Sequence, residues 1–163
     1  MSWLFILSGA VAIIATILVL TQMNAVHALL YMIVSLLAVA FIFFLLGAPF
    51  VAALEVIVYA GAIMVLFVFV IMTLNLGSQS VMQERNWLDI RGLPGIVLLT
   101  VVLLGELIYV MSKGSSEAAF GSQIAPQQFS IALFGPYLLG VELASILLLA
   151  GLVGAFHLGR DLK

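Results

Sequence analysis

The sequence predicts an all-α membrane protein: a bundle of five transmembrane helices, N-terminus outside and C-terminus cytoplasmic. Composition, run length and patterning point to it. Hydrophobic residues make up 66% of the 163 residues, charged residues only 7%, and mean hydropathy is +1.38. A soluble domain carries about 25% charged and about 45–50% apolar residues. Seven acidic and five basic side chains cannot cover a globule of this size, so a soluble protein is excluded. The chain holds five apolar runs of the ~20 residues that a ~30 Å hydrocarbon core requires. They are rich in Leu, Val and Ile without strict alternation, which disfavours a β-barrel.

The first span covers roughly residues 2–21. Its start, Met1-Ser2-Trp3-Leu4, has no basic n-region and no clear small-residue cleavage site, so it reads as a retained span rather than a signal peptide. A short polar break, Thr21-Gln22-Met23-Asn24, follows, and Asn24 reads as the N-cap for the second span, roughly 26–46. Gly47-Ala48-Pro49 ends that helix and opens the third, roughly 50–74, with proline tolerated at a helix start. Residues 75–92 form a polar loop holding Glu84, Arg85, Asp89 and Arg91, and Pro94 opens the fourth span, roughly 93–111. The Gly-, Ser- and Gln-rich stretch 112–136 is the longest connection and contains a short predicted surface helix, 128–134. The fifth span is roughly 137–159. Five runs and little else make one transmembrane domain over residues 1–163, with no separate soluble domain.

Orientation follows from the cations. One side of the membrane receives Arg85, Arg91, Arg160 and Lys163, and the other only Lys113. Positive residues stay cytoplasmic, which places the C-terminus inside.

Five cations and a net charge of −2 exclude a nucleic-acid partner. The absence of cysteine removes disulfides, thiolate metal sites, Fe–S ligation and cysteine catalysis together. Two histidines far apart in sequence, His27 and His157, make a histidine metal cluster unpromising and read as interfacial residues. The methionines read as gap-fillers. No phosphate loop, dinucleotide fingerprint, zinc-protease motif or nucleophile constellation is present, so the chain shows no machinery for substrate chemistry of its own.

Charged groups inside a membrane helix are unfavourable and mark function by default. Three stand out: Glu55, Glu106 and Glu142. At ~1.5 Å per residue each falls about 8–9 Å from the outer end of its helix. Similar depth does not establish that they face one another. No span contains Lys or Arg, so each is neutral, hydrated or paired with another subunit. Solvation near the headgroups is the competing reading, strongest for Glu106 and weakest for Glu55. Tyr59 at i+4 and Ala62 at i+7 share the helical stripe of Glu55, and Tyr59 lies about 14 Å in, near the midplane. Tyr59 is either a hydrogen-bonding group on that stripe or a packed aromatic bonded to a backbone carbonyl. Ala60-Gly61-Ala62 reads, by composition, as a packing notch before it reads as a π-bulge or hinge beside an acidic residue. Beyond Tyr59 no side chain can pass a proton until Thr73, about 21 Å further. A dry gap beside flexible Gly61 is what a gate would look like.

The segment Leu54-Glu55-Val56-Ile57-Val58-Tyr59-Ala60-Gly61-Ala62-Ile63-Met64-Val65-Leu66-Phe67-Val68-Phe69-Val70 closely resembles the third helix of the subunit J family of the proton-pumping NADH:quinone oxidoreductase, respiratory complex I. Asn24 to Tyr31 is similar to that family's turn into its second helix. Leu133-Phe134-Gly135-Pro136-Tyr137 and Val141-Glu142-Leu143-Ala144-Ser145 are similar to its entry into the fifth. The resemblance covers essentially the whole chain.

It implies a membrane-arm subunit near the quinone module, in a bacterial inner membrane, in contact with other membrane-arm subunits and lipid. It implies a π-bulge around Tyr59 to Val65 that switches between bulged and regular forms, opening a hydrated proton path. Glu55 and Glu142 would be proton-path groups, and Tyr59, Ala60, Gly61, Ala62 and Val65 the gate. FMN, Fe–S clusters and quinone would bind other subunits, with no cofactor on this chain. The resemblance assigns no role to Glu106. Two other classes remain open at this point: a related subunit of a membrane-bound hydrogenase or multisubunit cation/proton antiporter, and a structural or stand-alone carrier bundle. A carrier is disfavoured by the missing internal repeat.

Overall fold

In the computed structural model the described residues are 2–22, 24–73, 93–113 and 123–160. Every regular element among them is helical: α1 (Ser2–Thr21), α2 (Ala25–Leu45), α3 (Pro49–Leu54), a π-helical segment (Glu55–Ile63), α4 (Met64–Thr73), α5 (Leu93–Lys113), α6 (Pro126–Phe134) and α7 (Leu138–Arg160). The elements from Pro49 to Thr73 run on as one 25-residue span, so five helices are long and apolar enough to cross a membrane. The predicted loop 75–92, with Glu84, Arg85, Asp89 and Arg91, lies outside the described residues, as does Lys163.

The helix ends follow from local chemistry. Asn24 has extended backbone angles, and its Oδ1 accepts hydrogen bonds from the N–H groups of Val26 at 3.0 Å and His27 at 3.4 Å. Two donors that α2 cannot satisfy internally are thereby paired. At the other end Gly47 has φ 81°, a conformation that disfavours any residue with a Cβ. Its N–H bonds to Phe44 O and that of Ala48 to Phe43 O, both at 3.0 Å. This paired C-terminal motif turns the chain straight into Pro49.

The chain forms two compact units, Met1–Gln123 and Ile124–Lys163. In the first, α1 packs along α2, and α5 packs on both. The core between them is Val11, Ala15, Tyr31, Val34, Ala38, Ile96, Leu99 and Leu103. A second cluster of Leu4, Phe41, Leu45 and Val110 lies at the other end of these helices, where the Trp3 and Tyr109 rings meet edge to face at 5.5 Å. Thr16 Oγ1 and Ser35 Oγ, 2.9 Å apart, tie α1 to α2. Large side chains such as Ile13 and Ile17 point outward, as lipid-facing positions do. The third span packs against α2. In the second unit α6 begins at Pro126, two residues before the predicted start, and Gln128 Oε1 accepts from Ala125 N–H at 3.4 Å. A turn at Gly135-Pro136-Tyr137 leads into α7, whose last turn carries His157 and Arg160.

Candidate functional site

The third span enters as an α-helix and changes its hydrogen bonding part-way. Glu55 N–H still reaches Val51 O, four residues back. Met64 N–H reaches Tyr59 O, five residues back. Between them lie the nine residues Glu55–Ile63 in π geometry. Such segments are rare and concentrate at functional sites. The break begins one turn earlier than the resemblance implies, at Glu55 itself.

The π turns decide which way the site residues face. Ala52, Ala60 and Met64 are buried. Glu55 and Gly61 are half-buried, and Ala62 is exposed. Tyr59 is 49% exposed and Val65 63% exposed. Tyr59 is therefore not a packed aromatic within this unit. The polar groups Glu55 and Tyr59 stand at the outer side of the span, while the small residue Ala60 lets it approach its neighbours.

Gly61 has a specific steric role. A Cβ there would stand 3.1 Å from the Val56 carbonyl oxygen, five residues back in the π register. Thr73, the next hydroxyl along the span, donates to Val70 O at 2.9 Å. The stretch from Ile63 to Met72 between them is wholly apolar. Beside the π segment an apolar groove of about 420 Å³ opens between α2, the third span and α5, lined by Phe41, Phe44, Ala52, Val56, Leu103 and Leu107 among others.

Glu106 departs from expectation. It was the strongest candidate for headgroup solvation, yet it is 4% exposed. Its Oε2 is 2.7 Å from Ser8 Oγ of α1, and its Oε1 has no hydrogen-bond partner among the described residues. The helix register explains the burial: Glu106 shares a face with Leu103 and Val110, both in the core. Axial depth, all that run length provides, says nothing of which face a residue takes. Ser8 was missed altogether. It lies on the buried stripe Leu4-Ser8-Val11-Ala15, and a hydroxyl on an apolar helical stripe is a readable signal. His27, in the first turn of α2, is 2% exposed, with Nε2 unpartnered among the described residues. Glu142 sits in the second unit, in the second turn of α7, where Ser145 Oγ donates to its backbone carbonyl at 2.8 Å.

These features define a polytopic α-helical membrane protein whose third span is broken by a π-helical segment starting at an acidic residue. The chain belongs to the NADH-ubiquinone/plastoquinone oxidoreductase chain 6 family, which matches residues 15–158. It is similar to NADH-quinone oxidoreductase subunit J of Escherichia coli K12, at 52% identity over 161 residues, covering 99% of this chain and 88% of that protein. The subunit J of Pseudomonas aeruginosa is 55% identical over 166 residues, covering 99% and 98%. That of Buchnera aphidicola from Schizaphis graminum is 46% identical over the full length of both chains.

Proposed function

We propose that this chain is a membrane-arm subunit of a bacterial NADH:quinone oxidoreductase that couples quinone reduction to proton translocation. The relatives carry that enzyme's name. The observation that carries the coupling role is the π-helical segment that starts at Glu55 and contains Tyr59 and Gly61. A π turn inside an α-helix has a second arrangement within reach, in which each hydrogen bond moves by one residue. That shift rotates every side chain beyond it about the helix axis. Rotation of the apolar stretch Ile63–Met72 then opens or closes a hydrated gap beyond Tyr59.

Glu55 and Glu142 hold or organise the proton. Tyr59, Ala60, Gly61, Ala62 and Val65 form the pivot. The half-exposed face of Tyr59 and Val65 suits contact with neighbouring membrane-arm subunits. The chain has no catalytic centre of its own. FMN, Fe–S clusters and quinone belong to other subunits, and with no cysteine this chain has no thiolate to offer a cluster. The orientation is N-terminus outside and C-terminus cytoplasmic, in the inner membrane.

The test is Glu55→Gln in the assembled complex, which keeps the shape and removes the charge. Proton pumping and quinone reductase activity are expected to fall together while assembly is retained. Normal values for both would reduce Glu55 to a structural residue.

A further inference from the structure

One buried carboxyl lies outside the proposed path. Ser8 Oγ, fully buried, stands 2.7 Å from Glu106 Oε2 and 2.8 Å from the Leu4 carbonyl oxygen. A serine hydroxyl has one proton to donate. The Leu4 carbonyl can only accept. If Glu106 were ionised, its Oε2 would also only accept, and one of the two contacts would set lone pairs against each other. If Glu106 carries a proton, both contacts are satisfied at once: Glu106 donates to Ser8, and Ser8 donates to Leu4.

The surroundings favour the same answer. Glu106 is 4% exposed. Neither α1 nor α2, the helices that pack on α5, contains Lys or Arg. Their titratable groups are His27 and Tyr31 of α2. Tyr31 lies beside Gly95, eleven residues and thus about 16 Å along α5 from Glu106. On α5 itself the titratable group nearest in sequence is Tyr109, three residues on, a phenol and not a cation. A buried carboxylate without a cation or a full set of donors is strongly disfavoured. A neutral acid is not.

We infer that Glu106 is a proton-binding site occupied at rest, a neutral acid that donates to Ser8 and clasps α1 to α5. Oε1 is then the carbonyl oxygen of the acid. This inference is independent of the path through the third span: it holds or fails whatever Glu55 does.

The test is infrared absorption of the assembled complex in lipid nanodiscs, wild type against Glu106→Gln and Ser8→Ala. The amide of Glu106→Gln keeps a donor toward Ser8, so assembly is expected. The wild type should show a carboxylic-acid carbonyl band that shifts down in heavy water and is missing from Glu106→Gln. In Ser8→Ala that band should move up, because its hydrogen bond is lost. If Glu106→Gln removes carboxylate bands instead, the inference is overturned. Should Glu106→Gln fail to assemble, Ser8→Ala decides: an acid band that shifts supports the pair, and an unmoved spectrum overturns it.

Discussion

Gly61 sits so close to the carbonyl oxygen of Val56 that a Cβ at position 61 would approach it to 3.1 Å. Val56 is five residues back, so this crowding belongs to the π register. Gly61→Ala should therefore disfavour the π segment relative to a regular helix. The Val56 carbonyl would have to give by a few tenths of an ångström, so the expected shift lies at the low end of overpacking costs, about 1 kcal/mol, or roughly fivefold in a two-state equilibrium. The assembled complex carrying Gly61→Ala should show i→i+4 hydrogen bonds across residues 55–63 when its structure is determined. Its proton pumping should fall with them. An unchanged π segment in that variant would separate Gly61 from the switch.

Tyr59 offers a cleaner chemical test than Gly61, because it leaves the backbone alone. Its ring is half exposed on the outer side of the π segment, with no hydroxyl beyond it until Thr73. Tyr59→Phe keeps the ring and removes only the O–H. If the phenol passes a proton, pumping should drop toward ~100-fold, the lower end of what a positioned proton-transfer group contributes. Assembly on a native gel should be unaffected. A change of less than about twofold would assign the ring to packing against a neighbour.

The five spans were legible because a bilayer leaves little choice: apolar length alone decides which segments cross. The Asn24 cap and the Gly47-Pro49 turn were legible for the same kind of reason, being local chemistry written in consecutive residues. The π segment was not readable from composition, and Ala60-Gly61-Ala62 read better as a packing notch. An α turn and a π turn differ only in which carbonyl each N–H selects, and the same side chains suit both. A bulge or hinge beside Glu55 was the lesser reading of these residues, and the likeness of residues 54–70 to a known helix favoured it, one turn late. Glu106 failed for another reason. Counting residues gives depth, and burial depends on azimuth. The azimuth could have come from the core positions Leu103 and Val110 on its own face and from Ser8 on the apolar stripe of α1, signals that depth alone does not use.

The cap at Asn24 makes a stability prediction. Its Oδ1 pairs two backbone donors at the start of α2. Asn24→Ala leaves both unpaired and should lower stability by about 1 kcal/mol. Asn24→Asp retains the acceptor and should stay within a few tenths of a kcal/mol of the wild type. Thermal denaturation of the detergent-solubilised complex, followed by loss of this subunit, would order the variants wild type, Asp, Ala. Equal midpoints for Asp and Ala would mean that partner subunits, not the side chain, hold this end of α2.

Gly95 of α5 lies against the Tyr31 side chain of α2. A Cβ on Gly95 would run into the Tyr31 hydroxyl, and Tyr31 is 3% exposed in the core. The ring belongs to the same buried cluster as Val34, Ile96 and Leu99, so it has little room to retreat. Gly95→Ala should therefore destabilise the unit by about 1–3 kcal/mol. The cause is one oxygen atom, and it can be removed. Tyr31→Phe alone keeps the ring, removes only the hydroxyl and gives the reference for the pair. Combined with Gly95→Ala, it should restore part of the loss, giving a coupling energy of about 0.5–3 kcal/mol between the two sites. The measurement is the thermal midpoint of all four variants in the assembled complex. Strict additivity would show that α5 moves away from α2 as a body when the methyl arrives. A recovered midpoint in the double variant would fix the hydroxyl as the point of collision.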